Sequence, residues 1–106
     1  MNPRWILDLC RAVYLLALDD RSQLKDLEGR GLAPSTDEFG LLFDDAFRLV
    51  PQLVNGGALT AQEASVLSTL DDRLDQISDW DVSALASTEW EEVRVLARRF
   101  LSSPGV

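Results

Sequence analysis

Histidine is absent from this chain, and cysteine, lysine, methionine and tyrosine occur once each. Without histidine there is no Ser-His-Asp or Cys-His nucleophile system and no imidazole ligand for a metal. A single cysteine forms no disulfide within the chain, and Cys10 has no imidazole to turn it into a thiolate nucleophile. Long uncharged apolar runs are also missing. The most apolar stretch, Trp5 to Leu18, is interrupted by Asp8 and Arg11. A bilayer span needs about 20 mostly uncharged residues, and a secretory signal needs an unbroken apolar centre followed by small residues. The stretch therefore reads as an amphipathic helix in a cytoplasmic protein, with Cys10 as a free, buried thiol. Bases are scarce as well: 10 stand against 18 acids, for a net charge of -8 and a pI near 4.3. Nucleic acid is gripped mainly by Lys and Arg on its phosphates, so direct nucleic-acid binding is not expected.

What the chain does hold is enough for a core. Its 106 residues are 46% hydrophobic, which suits one globular domain, residues 1–106. Helix signals punctuate it. Asn2-Pro3 is a cap and first-turn pair, and behind it Trp5, Ile6, Leu9, Cys10, Val13, Leu16 and Ala17 recur at helical spacing over about 3–18. Asp19-Asp20 either continues that helix or restarts a second one carrying Leu24 and Leu27, which Gly29 and Gly31 end, with Pro34 in the following loop. Ser35 and Glu38 have capping-box spacing, as do Thr60 and Glu63, and Thr88 and Glu91. The first box leads into Phe39, Leu42, Phe43, Ala46, Leu49, Val50 and Leu53, with Pro51 expected to kink or end the helix. The second leads into Leu67, Leu70, Leu74 and Ile77. The third leads into Trp90, Val93, Ala97, Phe100 and Leu101, with Arg94, Arg98 and Arg99 near the C-terminal end, where cations suit the helix dipole. Ser103-Pro104-Gly105 closes that helix. No segment alternates with period two, so the expected fold is an all-α, compact bundle of four or five helices. Trp5 and Trp90 fall on apolar faces and are expected in the core, and the Tyr14 ring is expected to be packed.

Charge is distributed unevenly. Residues 1–62 carry a net -3, residues 63–92 carry -8 with Arg73 as their one base, and residues 93–106 carry +3. Helical spacing of Asp71, Asp75 and Asp79 sets them along one flank of the helix that buries Leu67, Leu70, Leu74 and Ile77. Like charges at that spacing oppose folding. Trp80 stands between Asp79 and Asp81, either closing the core after Ile77 or exposed as an interface anchor. The candidate partner-binding set is Asp71, Asp72, Asp75, Asp79, Trp80, Asp81, Glu89 and Glu92.

Catalytic and cofactor chemistry finds little material. The pairs Asp19-Asp20, Asp44-Asp45 and Asp71-Asp72 are adjacent, and helix neighbours do not face one another. Asp79 and Asp81 lack the calcium-loop pattern of acids, glycine and terminal glutamate. Gly56-Gly57 is not followed by the Lys-Ser/Thr of a phosphate loop. No enzyme, metal or cofactor is expected.

A compact acidic helical domain suits a basic protein surface, which complementary potential brings in quickly. The segments Leu70-Asp71-Asp72-Arg73-Leu74-Asp75-Gln76-Ile77 and Trp90-Glu91-Glu92-Val93-Arg94-Val95-Leu96-Ala97-Arg98, in a chain of this size and charge, resemble the immunity proteins of bacterial toxin–immunity systems. That resemblance implies a small cytosolic inhibitor that binds and neutralises a basic cognate toxin domain, with a nuclease as one such target. The alternative is a helical assembly or adaptor domain acting as a homodimer or complex subunit, suggested by Phe39, Phe43 and Phe47 as more aromatic surface than one core absorbs.

Overall fold

Most apolar stripes of the sequence become the inner faces of helices. The structure, a computed structural model, describes residues 4–29 and 36–102. Among these it has six α-helices and no strand: α1 Arg4–Ala17, α2 Asp20–Gly29, α3 Asp37–Phe47, α4 Val50–Asn55, α5 Ala61–Asp75 and α6 Thr88–Leu101, with a 3-10 helix at Val82–Ala86 between α5 and α6. The expected all-α bundle is present, cut into more pieces than four or five because both doubtful places are breaks. At the first, Asp19 accepts the Ser22 N–H at 2.7 Å and starts α2. At the second, Pro51 cannot supply an N–H to continue α3 and sits instead in the first turn of α4, where none is needed.

The helices share one continuous core that includes Leu9, Leu16, Phe39, Phe43, Leu53, Leu67, Leu70, Trp90 and Phe100, all essentially inaccessible. α6 is its spine, packed on α1 and α5, while α3 leans on α1 and meets α5 only sparsely. Phe47 stacks on Phe43 with centroids 5.4 Å apart. Phe39 and Phe43 are buried, and Phe47 packs half-buried against the same core. Trp90 is buried and Trp5 half-buried, as expected of core residues. Tyr14 is not packed: it is 57% exposed, because residue 14 falls on the side of α1 opposite Leu9, Val13 and Leu16. Cys10 is half-buried rather than buried, and both burial and the neighbouring Glu63 carboxylate push its thiol upward.

The three capping boxes fare differently. Thr60 and Glu63 form theirs in full, with the Glu63 N–H on Thr60 Oγ1 at 3.1 Å and the Thr60 N–H on Glu63 Oε1 at 2.8 Å. Thr60→Ala is therefore expected to lower stability by about 1 kcal/mol, read as a shift in the urea midpoint with an unchanged slope. The Thr88 box does not form. Ser87 is the cap, accepting the Trp90 N–H at 3.4 Å, because the 3-10 helix ends there and α6 begins one residue earlier. Ser35 lies outside the described residues, as do Asn2-Pro3, Gly31, Pro34 and Ser103-Pro104-Gly105. The cap position of α3 is held by Thr36, which makes no side-chain bond to that helix.

A second set of polar contacts was not foreseen. The C-terminal carbonyls of α1 lack helical partners, and side chains from elsewhere supply them. Gln23 Nε2 donates to the Leu15 and Leu16 carbonyls at 3.1 and 3.2 Å, and Arg98 Nε donates to Ala17 at 2.9 Å. Gln23 is itself fully buried and accepts from Arg94, which is 3% exposed. Arg94 therefore ties α6 to α2 in the interior, rather than serving the end of its own helix. No helix among the described residues is long and apolar enough to cross a membrane.

Candidate functional site

The acidic stretch splits into two parts with different surroundings. In the first part the acids already have partners. Glu92 Oε2 takes Arg73 at 2.9 Å. Glu89 accepts the Ser78 hydroxyl at 2.9 Å and the Ser78 N–H at 3.3 Å, fastening the segment after α5 to α6. Asp79 accepts the Asp81 N–H at 2.9 Å. Asp81 caps the 3-10 helix by accepting the Ser83 N–H at 2.9 Å, a bond that holds its carboxyl below the usual range. Asp79 also departs from its expected place: α5 ends at Asp75, where the Gln76 N–H turns back to Arg73 and the Ile77 N–H to Leu74. It therefore does not share the flank of Asp71 and Asp75.

The second part is a cluster. Carboxylate oxygens of Asp71, Asp72 and Asp75 lie within 4.8 Å of one another, and none of the three has an ion-pair partner among the described residues. Burial, then the charges of Asp75, Asp44 and Asp72, push the Asp71 carboxyl above its ordinary value. Three such oxygens could touch one divalent ion, but a hard cation of calcium's size takes about 6–8 oxygens and would keep most of its water here.

Asp71 and Asp75 form one wall of a groove of about 340 Å³ between α3 and α5. Asp37, Leu41 and Asp44 of α3 form the other, with Trp80 at the end. Asp44 also pairs with Arg48 at 2.9 Å, on the exposed surface. Among the described residues no Lys or Arg lines the groove. Two larger clefts hold cations of their own: about 470 Å³ between α1 and α3, where Arg11 faces Asp8 and Asp45, and about 410 Å³ between α5 and α6, where Arg73 and Arg99 face Glu91 and Glu92.

Trp80 is held by three contacts. Its carbonyl accepts the hydroxyl of the buried Thr36, and its indole meets Trp90 edge-on with centroids 5.5 Å apart. Its ring also lies over Gly40, where an added Cβ would come within 3.0 Å of the indole edge. Trp80 is thus half-buried: one side closes the core and the rest faces the groove. Gly40→Ala gains up to about 1 kcal/mol of helix propensity, but crowding against a packed ring costs about 1–3 kcal/mol. The expected net is a loss of about 1 kcal/mol, with a changed near-ultraviolet dichroism as Trp80 leaves Trp90. An unchanged spectrum with raised stability would show that the ring yields freely.

Reading charge by window along the sequence missed the α3 half of this groove. A signal was present: Asp37, Leu41 and Asp44 share a helical face away from the Phe39-Phe43-Ala46 stripe, and Leu41 there is 62% exposed. Comparison with known protein families, with curated proteins and with solved structures gives no match for this chain.

Proposed function

We propose that this chain is a non-enzymatic acidic binding protein of the immunity type, which neutralises a basic partner, a bacterial toxin domain such as a nuclease, by covering its cationic site. The single observation behind the reading is the uncompensated cluster of Asp71, Asp72 and Asp75 on the rim of an apolar groove. Such a cluster works against folding, and a cationic surface would relieve it. The absence of histidine removes the side chain that most often serves as a general base. A cytoplasmic setting follows from the same reading, since an immunity protein guards the cell that makes it.

The test is capture on the immobilised chain, washed at low and then high salt, followed by an activity assay of the captured protein with and without the chain. The expected result is one basic protein, released only by high salt and inhibited stoichiometrically. Capture of an apolar partner indifferent to salt, or full activity of the captured protein in the complex, would overturn the reading.

A further inference from the structure

We infer that the α3–α5 groove seats an arginine side chain of the basic partner, with its guanidinium at Asp71 and Asp75 and its aliphatic stem along Leu41 and Trp80. This rests on the acidic-inhibitor reading and narrows it from a charged face to one receptor groove. Charge complementarity selects the occupant: among the described residues every ionisable group lining the groove is an aspartate, whereas the neighbouring clefts contain their own cations. A small inorganic cation would answer the charge but would leave the apolar part of the groove uncovered. That part is substantial, because Leu41 is 62% exposed and one side of Trp80 faces the groove. Gly40, with no side chain, lets the indole edge lie close against α3 at the end of the groove. A long stem ending in a planar cation matches both features. Arginine fits better than lysine because its guanidinium reaches two carboxylates at once, stacks on an aromatic face and sheds water more easily. Binding would also offset the neighbouring aspartate charges that, after burial, raise Asp71.

The test uses three alanine-based peptides of equal length with arginine, lysine or citrulline at the same three positions, titrated into the labelled chain and followed by NMR. The arginine peptide is expected to shift the Gly40 and Leu41 amides and the Trp80 indole. Its affinity should exceed that of the lysine peptide by about threefold or more, and citrulline should leave the signals in place. Asp71→Asn with Asp75→Asn is expected to weaken the arginine peptide about tenfold. An equal charge change outside the groove, Glu28→Gln with Asp45→Asn, should cost less than about twofold. Leu41→Ser, which alters no charge, should weaken it about threefold by removing the stem contact. If the two double variants weaken binding alike and the indole does not move, the groove is overturned, while the acidic-inhibitor reading is left standing. Equal shifts from magnesium chloride and the arginine peptide at matched ionic strength would overturn the groove in favour of a cation site. If the captured toxin keeps its salt-sensitive affinity with all three groove residues replaced, the receptor is elsewhere on the acidic surface.

Discussion

Arg94→Met is expected to destabilise the protein by about 2–5 kcal/mol, the range for leaving two buried acceptors without donors. The side chain is 3% exposed. Its Nε and Nη2 donate to Gln23 Oε1 at 3.2 and 3.1 Å, Nη2 also donates to the Leu85 carbonyl, and Nη1 meets Glu91 at 2.8 Å. Methionine fills much of the volume and supplies none of these donors, so Gln23 Oε1 and the Leu85 carbonyl lose partners in the interior. The Glu91 contribution is small because that carboxylate is 55% exposed and returns to water. Domains of this size are stable by about 5–15 kcal/mol, so the loss is a large share, equivalent to a melting shift on the order of 10–30 °C. α2 should loosen first, because Gln23 and Leu27 are its buried residues. Hydrogen exchange would show this as faster amides in α2 than in α5. Arg98→Ala removes a donor from Ala17 at an exposed site and should cost about 1 kcal/mol or less. If Arg94→Met melts within about 2 °C of the parent, below the shift for 1 kcal/mol, then water replaces the guanidinium and α2 is held by apolar packing alone.

That latch also shows what the sequence makes legible and what it hides. Apolar spacing alone identifies the inner faces of α1, α3, α5 and α6: Leu9 and Leu16, Phe39 and Phe43, Leu67 and Leu70, Val93 and Phe100 are all buried. Local geometry also reveals the Thr60–Glu63 box, since both partners lie within one turn. Gln23 and Arg94 are 71 positions apart, and each looks like an ordinary polar residue on its own helix, so no local pattern pairs them. The same limit applies to the groove. Asp71 and Asp75 are visible as an i, i+4 pair, but Asp44 and Leu41 join them only when α3 lies alongside α5. Leu27 and Gln23 make the point within a single element: the apolar pattern of α2 nominates Leu24 and Leu27, yet Gln23 is buried and Leu24 is exposed. A buried glutamine is stable there because all its polar atoms have partners.

Asp71→Asn with Asp75→Asn should move stability and binding in opposite directions, and the contrast separates a working surface from mere solvation. Like charges at i, i+4 cost about 0.2–0.5 kcal/mol per pair, and Asp71 also feels Asp72 and Asp44. The double variant is expected to melt about 2–4 °C higher at neutral pH, following the usual conversion for a domain of this size. The gain should depend on pH with a definite sign. The folded chain holds the Asp71 proton to higher pH than the unfolded chain does, so the unfolded state binds fewer protons in that window. The contribution of Asp71 to stability therefore falls as pH rises through the window, and the variant's advantage should shrink as pH drops below it. Asp19 and Asp81 act in the other direction. Backbone N–H bonds from Ser22 and Ser83 lower their carboxyls, so their support is present above the ordinary carboxylate range and is lost as pH falls through the lowered values. Against a basic partner at low salt the same double variant should bind on the order of 10–100-fold more weakly, through faster dissociation if the carboxylates are desolvated and slower association if they only steer. Higher stability together with weaker binding would mean that these aspartates are kept for the partner at the expense of the fold. A variant that melts lower than the parent would mean that the cluster supports the fold after all, and the strongest ground for a binding role would be gone.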